Sequence, residues 1–361
     1  MTLRAVKLDR IVWTGDSKVG DLLENLFVER YLSGQLPLPD SALQALLNTS
    51  VEWYYRLGKR LDAMPRKWAG DQGEITPGNG NDLLSVHYDL PAGIFEQFLG
   101  RTMKYSMALW EDGATDLDGA QDAMMADLCR KMDMRDGMTV LDAGCGFGSF
   151  ASFVLTRYPH SSVFGLTLSD TQYRYMVEKQ QLTGHPLSTP RFRVAKEDFS
   201  KTTVRETFDR VVSIGVFEHL SNLQLALATI RRLVKDDGAC LIHYIVYTKL
   251  LERFADYDMS ETFMRRYIFP HSRFWHDREL FKYQGDLRID HYWFLNGRNY
   301  QCTLEAWQAN FQANWDAIRK VRGDDERFYR VWNLYFRFTR ALFKGQGGRQ
   351  AGNGQYLLRP R

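Results

Sequence analysis

A chain of 361 residues, 44% hydrophobic and 25% charged, is long enough for one large domain or two modest ones with proper cores. A net charge of +3, with no Lys/Arg-rich run, argues against nucleic acid as a partner. Four cysteines, Cys129, Cys145, Cys240 and Cys302, form no C-x-x-C pair, which argues against zinc or a disulfide framework and for a reducing, cytoplasmic setting. The opening stretch MTLRAVKLDRIVWTGD lacks the apolar run of a signal peptide, and no later run reaches the length of a membrane span. Peripheral contact with a membrane surface stays open.

Residues 18–64 carry apolar side chains at helical spacing, first Leu22, Leu23, Leu26, Phe27 and Leu32, then Leu43, Leu46, Leu47, Trp53, Tyr54 and Leu57. Residues 34–39 divide them into two helices. The stretch 70–82, GDQGEITPGNGND, reads as a linker, so a helical N-terminal module (1–82) precedes a second unit (83–361). A cap over a site and a homodimer element explain the module equally well. Helical periodicity returns at 91–99 and at 117–133, the latter with Asp116 and Asp118 as capping candidates. Between them Lys104, Tyr105, Ser106 and Trp110 form a polar and aromatic patch that no helical stripe requires.

Residues 138–150, MTVLDAGCGFGSF, read as strand, glycine turn and helix, a layout that lets backbone N–H groups approach a nucleotide-like ligand. Strands are then predicted at 162–168, 191–194, 209–215 and 240–247, with helices at 171–181 and 223–233. Such alternation implies an α/β fold with a mainly parallel sheet covered by helices on both faces. Ligands of such sheets bind at the carboxyl ends of the strands. That rule puts Asp142, Gly144, Cys145, Gly146, Thr167, Gln172, Glu197, Asp198, Gly215, Glu218, His219 and His243 on one rim. An aromatic-rich insertion follows at 250–285, then a strand at 287–295, helices at 303–318 and 325–343, and a short strand at 355–358. The two late strands suit an antiparallel edge. The insertion reads as ordinary packing or as the lining of a wide apolar substrate pocket.

A dinucleotide dehydrogenase would need G-x-G-x-x-G and an acid about twenty residues on. Here the spacing is G-x-G-x-G, and Gly165-Leu166-Thr167 carries no acid. Asp142, Gly144, Gly146 and Gly148 instead resemble motif I of class I S-adenosylmethionine-dependent methyltransferases, a Rossmann-like fold. The ordered set His87-Tyr88-Asp89-Leu90, Lys104-Tyr105-Ser106, Leu141 to Gly146, Gly165-Leu166-Thr167, Phe217-Glu218-His219, Tyr267-Ile268-Phe269-Pro270 and Tyr300…Thr303-Leu304…Trp307 is similar to cyclopropane fatty acid synthases and the related coclaurine N-methyltransferases. The resemblance runs from about residue 85 to the C-terminus.

It implies S-adenosylmethionine held by Tyr105, Ser106, Asp142, Gly144, Gly146, Thr167, Gln172, Glu197, Asp198 and Gly215. It also implies a base site of Glu218, Cys145, His243 and Tyr300 with the backbone at Ile245, around a bicarbonate ion, as in the cyclopropane branch. In the nitrogen branch a Glu–His pair, matched by Glu218 and His219, does this work, although Gly215 replaces a second upstream Glu. Glu218 suits either chemistry. The expected acceptor is the double bond of an unsaturated acyl lipid, narrowly ahead of the nitrogen of a small aromatic amine; a non-catalytic binding module ranks last.

Overall fold

The computed structural model describes residues 26–57, 60–61, 84, 88–111, 113–251, 263–270, 273 and 275–361. The start of the first predicted helix (Leu22, Leu23), the linker at 70–82, His87 and residues 252–262, 271, 272 and 274 of the aromatic insertion lie outside the described residues.

The sheet grows from short apolar runs. Strand β1 (Thr139–Ala143) is buried along almost its whole length, as expected of a strand covered on both faces. It pairs in parallel with β2 (Ser162–Thr167), which pairs with β3 (Phe192–Lys196). On its other side β1 pairs with β4 (Phe208–Ile214), which pairs with β5 (Val234–Tyr247). The short β6 (Trp275–His276) joins β5 in parallel. Strands β7 (Leu287–Asn296) and β8 (Ala351–Pro360) complete the order β3-β2-β1-β4-β5-β8-β7. The last two are antiparallel, as predicted, but β8 is far longer than 355–358 and lies inside the sheet between β5 and β7.

The helices follow their apolar stripes. Helix α2 (Leu117–Lys131) is capped by Asp116, whose carboxylate accepts the Gly119 N–H at 2.8 Å. Helices α3 (Ser149–Arg157), α4 (Asp170–Gln180) and α5 (Leu223–Leu233) connect the parallel strands. Leu223, Ala226, Leu227, Ile230 and Leu233 form the buried stripe of α5. The helix predicted at 303–318 is two helices, α6 (Arg298–Ala313) and α7 (Trp315–Arg322). The break falls at Asn314, whose side chain donates to the Gln97 carbonyl at 2.8 Å.

Helix α8 (Glu326–Lys344) packs against α1 (Asp40–Leu57) of the N-terminal segment. Asp40 pairs with Arg337 at 2.6 Å, and the buried Tyr55 hydroxyl donates to the Leu342 carbonyl at 3.0 Å. Val28, Leu43, Val51 and Tyr55 belong to the same apolar core as the sheet. No described helix is long and apolar enough to cross a membrane. No cluster of potential metal ligands occurs among the described residues.

Candidate active site

Strands β3, β2 and β1 run outward in one direction and β4 and β5 in the other, so chain order reverses between β1 and β4. Crevices open at such a point. Here a cleft of about 1070 Å³ lies at the strand ends, and all ten residues expected to hold a cofactor line it: Tyr105, Ser106, Asp142, Gly144, Gly146, Thr167, Gln172, Glu197, Asp198 and Gly215. The turn that shapes it depends on glycine. Gly144 has φ +90°, and a Cβ there would stand 2.2 Å from Val216 Cγ2. Gly146 has φ +56° and no neighbour within 4 Å of where a Cβ would stand, so its backbone faces open space.

Asp142 closes the end of β1. Its carboxylate is buried, Oδ2 has no partner, and burial pushes its pKa up to about 7. A buried carboxyl oxygen left over in a cleft calls for a ligand hydroxyl or ammonium. Thr167 donates to Gln172 Oε1 at 2.7 Å, fixing that amide at the start of α4. The Glu197 carboxylate is turned to its own loop, accepting from Thr202 at 2.7 Å and the Thr203 N–H at 3.0 Å. Burial works against ionisation of Glu197, but these bonds outweigh it and its pKa is lowered. Lys104, in the cleft wall, donates to the Met107 carbonyl at 2.6 Å and to Ser106; burial lowers its pKa to about 7. Open glycine backbone, the unpartnered Asp142 oxygen and the Gln172 amide fit the amino-acid and nucleoside parts of S-adenosylmethionine.

A second chamber of about 820 Å³ adjoins the first. Tyr88, Tyr105, Ser106, Gly215 and His219 line both and form the passage between them. Glu218, at a short helical turn after β4, lies on the chamber side. Its Oε1 accepts the Ile245 N–H at 2.8 Å, while Oε2 is buried without a partner. Burial raises its pKa to about 7 despite that bond. His219 Nε2 lies 3.2 Å from the Tyr88 hydroxyl, and its Nδ1 is buried without a partner. Burial lowers the His219 pKa to about 4, so the imidazole is neutral at pH 7. The remaining walls are largely apolar and aromatic, with Phe269, Tyr300, Leu304, Tyr335 and Phe343 prominent, and Arg273, Thr339 and Asn353 are their polar members. Tyr300 stacks on Phe343 with ring centres 4.4 Å apart, and burial raises its pKa well above that of a free phenol.

The base-site set does not assemble as one cluster. Glu218, Tyr300 and Ile245 line the second chamber, but Cys145 lines the first, with its thiol 3.8 Å from Met176 Sδ. The Cys145 side chain follows a turn that packs it over Gly165 of β2, away from Glu218. His243 is wholly buried and outside the chamber lining; its ring bonds to the side chains of Asn353 and Gln355. Of the set expected to hold bicarbonate, Glu218, Ile245 and Tyr300 share one chamber, Cys145 lines the adjoining cleft, and His243 reaches the chamber wall through Asn353. Sequence reasoning named no site role for Tyr88, Phe269, Arg273 or Asn353. Tyr88 and Phe269 stood within the quoted motifs, whereas Asn353 sits in a glycine-rich strand that carries no chemical signature.

A glycine-turn cleft at the switch point, opening through an aromatic passage into a chamber with a buried carboxylate, defines a class I methyltransferase. The chain belongs to the mycolic acid cyclopropane synthetase family, whose profile matches residues 79–348. It is 30% identical over 262 residues to the cyclopropane-fatty-acyl-phospholipid synthase of Escherichia coli, covering 72% of this chain and 64% of that protein. It is 28% identical over 236 residues to a probable (S)-tetrahydroprotoberberine N-methyltransferase of Papaver bracteatum, covering 65% and 64%. The match thus spans a little under two thirds of each of these relatives. A coclaurine N-methyltransferase bound to N-methylheliamine and SAH shares the fold, with a TM-score of 0.81 at 20% identity over 92% of this chain and 99% of that one. The cyclopropane synthase MmaA2 of Mycobacterium tuberculosis follows with a TM-score of 0.67 at 26% identity, covering 78% and 98%.

Proposed function

We propose that this protein transfers the methyl group of S-adenosylmethionine to the nitrogen of a small aromatic amine. The observation that carries this reading is the pair Glu218 and His219, adjacent on one turn, both lining the second chamber, each with a buried atom lacking a partner. When bound, S-adenosylmethionine supplies an electrophilic methyl on a sulfonium. Asp142, Gln172 and the glycine turn of the first chamber would hold it, with Tyr105 and Gly215 lining the passage to the second. An amine arrives protonated and must lose that proton before its lone pair can react. Glu218 Oε2 receives it: a carboxyl with a pKa of about 7 is substantially ionised at neutral pH yet basic enough to take a proton. Neutral His219, braced by Tyr88, offers a second hydrogen-bonding site without adding positive charge beside a cation. The faces of Tyr88, Phe269 and Tyr335 suit a cationic, flat acceptor.

The double bond of an acyl lipid is the second reading, supported by the E. coli relative and by the aliphatic wall of Met264, Leu304 and Leu342. It requires a base for a methyl proton, and Cys145 and His243 do not line the chamber with Glu218. The two readings separate in one experiment. The full chain with S-adenosylmethionine is incubated in parallel with tetrahydroisoquinoline amines and with vesicles of unsaturated phospholipid, and both pools are read by mass spectrometry. Methyl gain on the amine with stoichiometric S-adenosylhomocysteine is expected. Methylene gain confined to acyl chains would sink the amine reading.

A further inference from the structure

The hydrogen bonds behind the chamber wall form a chain whose direction can be worked out atom by atom. Lys131, near the end of α2, lies 2.7 Å from Asp127 Oδ2 and donates to Gln355 Oε1 on β8. An ammonium has donors only, so Gln355 presents its carbonyl oxygen to Lys131 and its NH2 group to the other side. That NH2 faces His243 Nδ1 at 3.1 Å and Met124 Sδ at 3.6 Å. Nδ1 must therefore carry the lone pair. Burial, helped by the nearby Lys104 and Lys131 charges, keeps the ring neutral, so its one proton sits on Nε2.

Nε2 lies 3.0 Å from Asn353 Nδ2, and Asn353 Oδ1 is buried without a partner. An N–H on Nε2 facing that NH2 group would set two donors face to face, so the amide is assigned the turned-over orientation, its carbonyl oxygen to His243 and its NH2 group in the unpartnered position. Asn353 lines the second chamber and stands opposite Ile245 in the β5–β8 ladder. Ile245 is the residue whose N–H holds Glu218. A fixed donor thus stands beside the base site.

We propose that Asn353 is a specificity-determining residue, its NH2 group aimed by Asp127, Lys131, Gln355 and His243 to donate to an oxygen atom of the bound acceptor, such as a ring hydroxyl or ether. This rests on the reading that the second chamber receives an amine. A buried donor with a fixed direction favours a ligand with a matching oxygen and penalises one that leaves it unpaired.

Two measurements test it. Long-range nitrogen–proton NMR on the full chain should show the His243 proton on Nε2, and Lys131→Met, which frees Gln355 to turn over, should move part of it to Nδ1. A wild-type proton on Nδ1 overturns the assignment whatever the substrate. Methyl transfer is then compared between a hydroxylated tetrahydroisoquinoline and the unsubstituted ring, with and without added bicarbonate. Asn353→Leu should cut the preference for the hydroxylated ring at least tenfold through KM, with the affinity for S-adenosylmethionine kept. An unchanged preference overturns the proposal while the amine reading stands. An equal loss on both rings that tracks bicarbonate overturns it in favour of an anion. Turnover of vesicle acyl chains alone removes the amine reading and the acceptor oxygen with it, while the NMR result still decides the direction of the relay.

Discussion

On the proposed reading, Glu218 is the residue on which the chemistry turns. Its carboxyl is taken out of water by the chamber and answered only by backbone N–H groups, those of Ile245 and of Glu218 itself. Below a pKa of about 7 it is protonated and cannot accept a proton; above that value it can. The rate kcat/KM should therefore fall as pH drops through about 7, a limb that Glu218→Gln should abolish together with two or more orders of magnitude in kcat. Stopped-point assays across pH 5.5 to 8.5, about one unit and a half either side of that pKa, check it. His219, with its pKa near 4, stays neutral over that range and adds no second limb. Asp142 belongs to the other chamber, and its unpartnered oxygen makes a separate forecast. Asp142→Asn should weaken S-adenosylmethionine binding by about tenfold or more, measured by calorimetry, since a ligand bond to a charged partner is worth about 1.5–3 kcal/mol.

Among the elements, the β1–α3 turn has little tolerance for change. Gly144→Ala adds a methyl that meets Val216 at 2.2 Å on a backbone with φ +90°. The variant should lose cofactor binding and stability together. Adding Val216→Ala should recover part of the stability, because the clash goes while the strained φ remains. Thermal unfolding of the single and double variants measures that coupling. Elsewhere, boundaries set by local chemistry were readable and those set by partners were not. Asn222 capping α5 and Asp116 capping α2 are local events; α2 begins where spacing and its capping residue indicate, and α5 where its spacing does. The break at Asn314 is not local, because its amide is drawn to the Gln97 carbonyl 217 residues away in sequence. Likewise AGNGQYLLRP has weak strand propensity, and β8 extends because β5 and β7 flank it on both sides.

For the whole molecule, α1 and α8 tie the N-terminal segment to the chamber. Tyr55 is fully buried, bonds to the Leu342 carbonyl and fills the space that a Cβ on Gly345 would need. Helix α8 carries Tyr335, Thr339, Leu342 and Phe343 into the chamber wall. Tyr55→Ala should cost about 3–5 kcal/mol, as other large-to-small core changes do. It should also raise KM for the acceptor more than for S-adenosylmethionine, because the first chamber does not touch α8. Denaturant unfolding and paired KM measurements check both.

What the sequence determined by itself was whatever depends on short range: the glycine turn with Asp142, the parallel strand–helix alternation, and the cofactor residues that topology gathers at adjacent strand ends. Gly144, Gly146, Thr167, Gln172 and Gly215 converge because each ends or follows a strand of one sheet. The grouping of the base site was a different matter. Cys145 and Glu218 lie on the same rim, but which way each side chain points depends on packing across the sheet, and they face different chambers. His243 was visible as an oddity in an apolar strand. Its partners, Gln355 and Asn353, come from a strand more than a hundred residues later. Only the antiparallel register of β8 against β5 decided that Asn353, and not His243, lines the chamber.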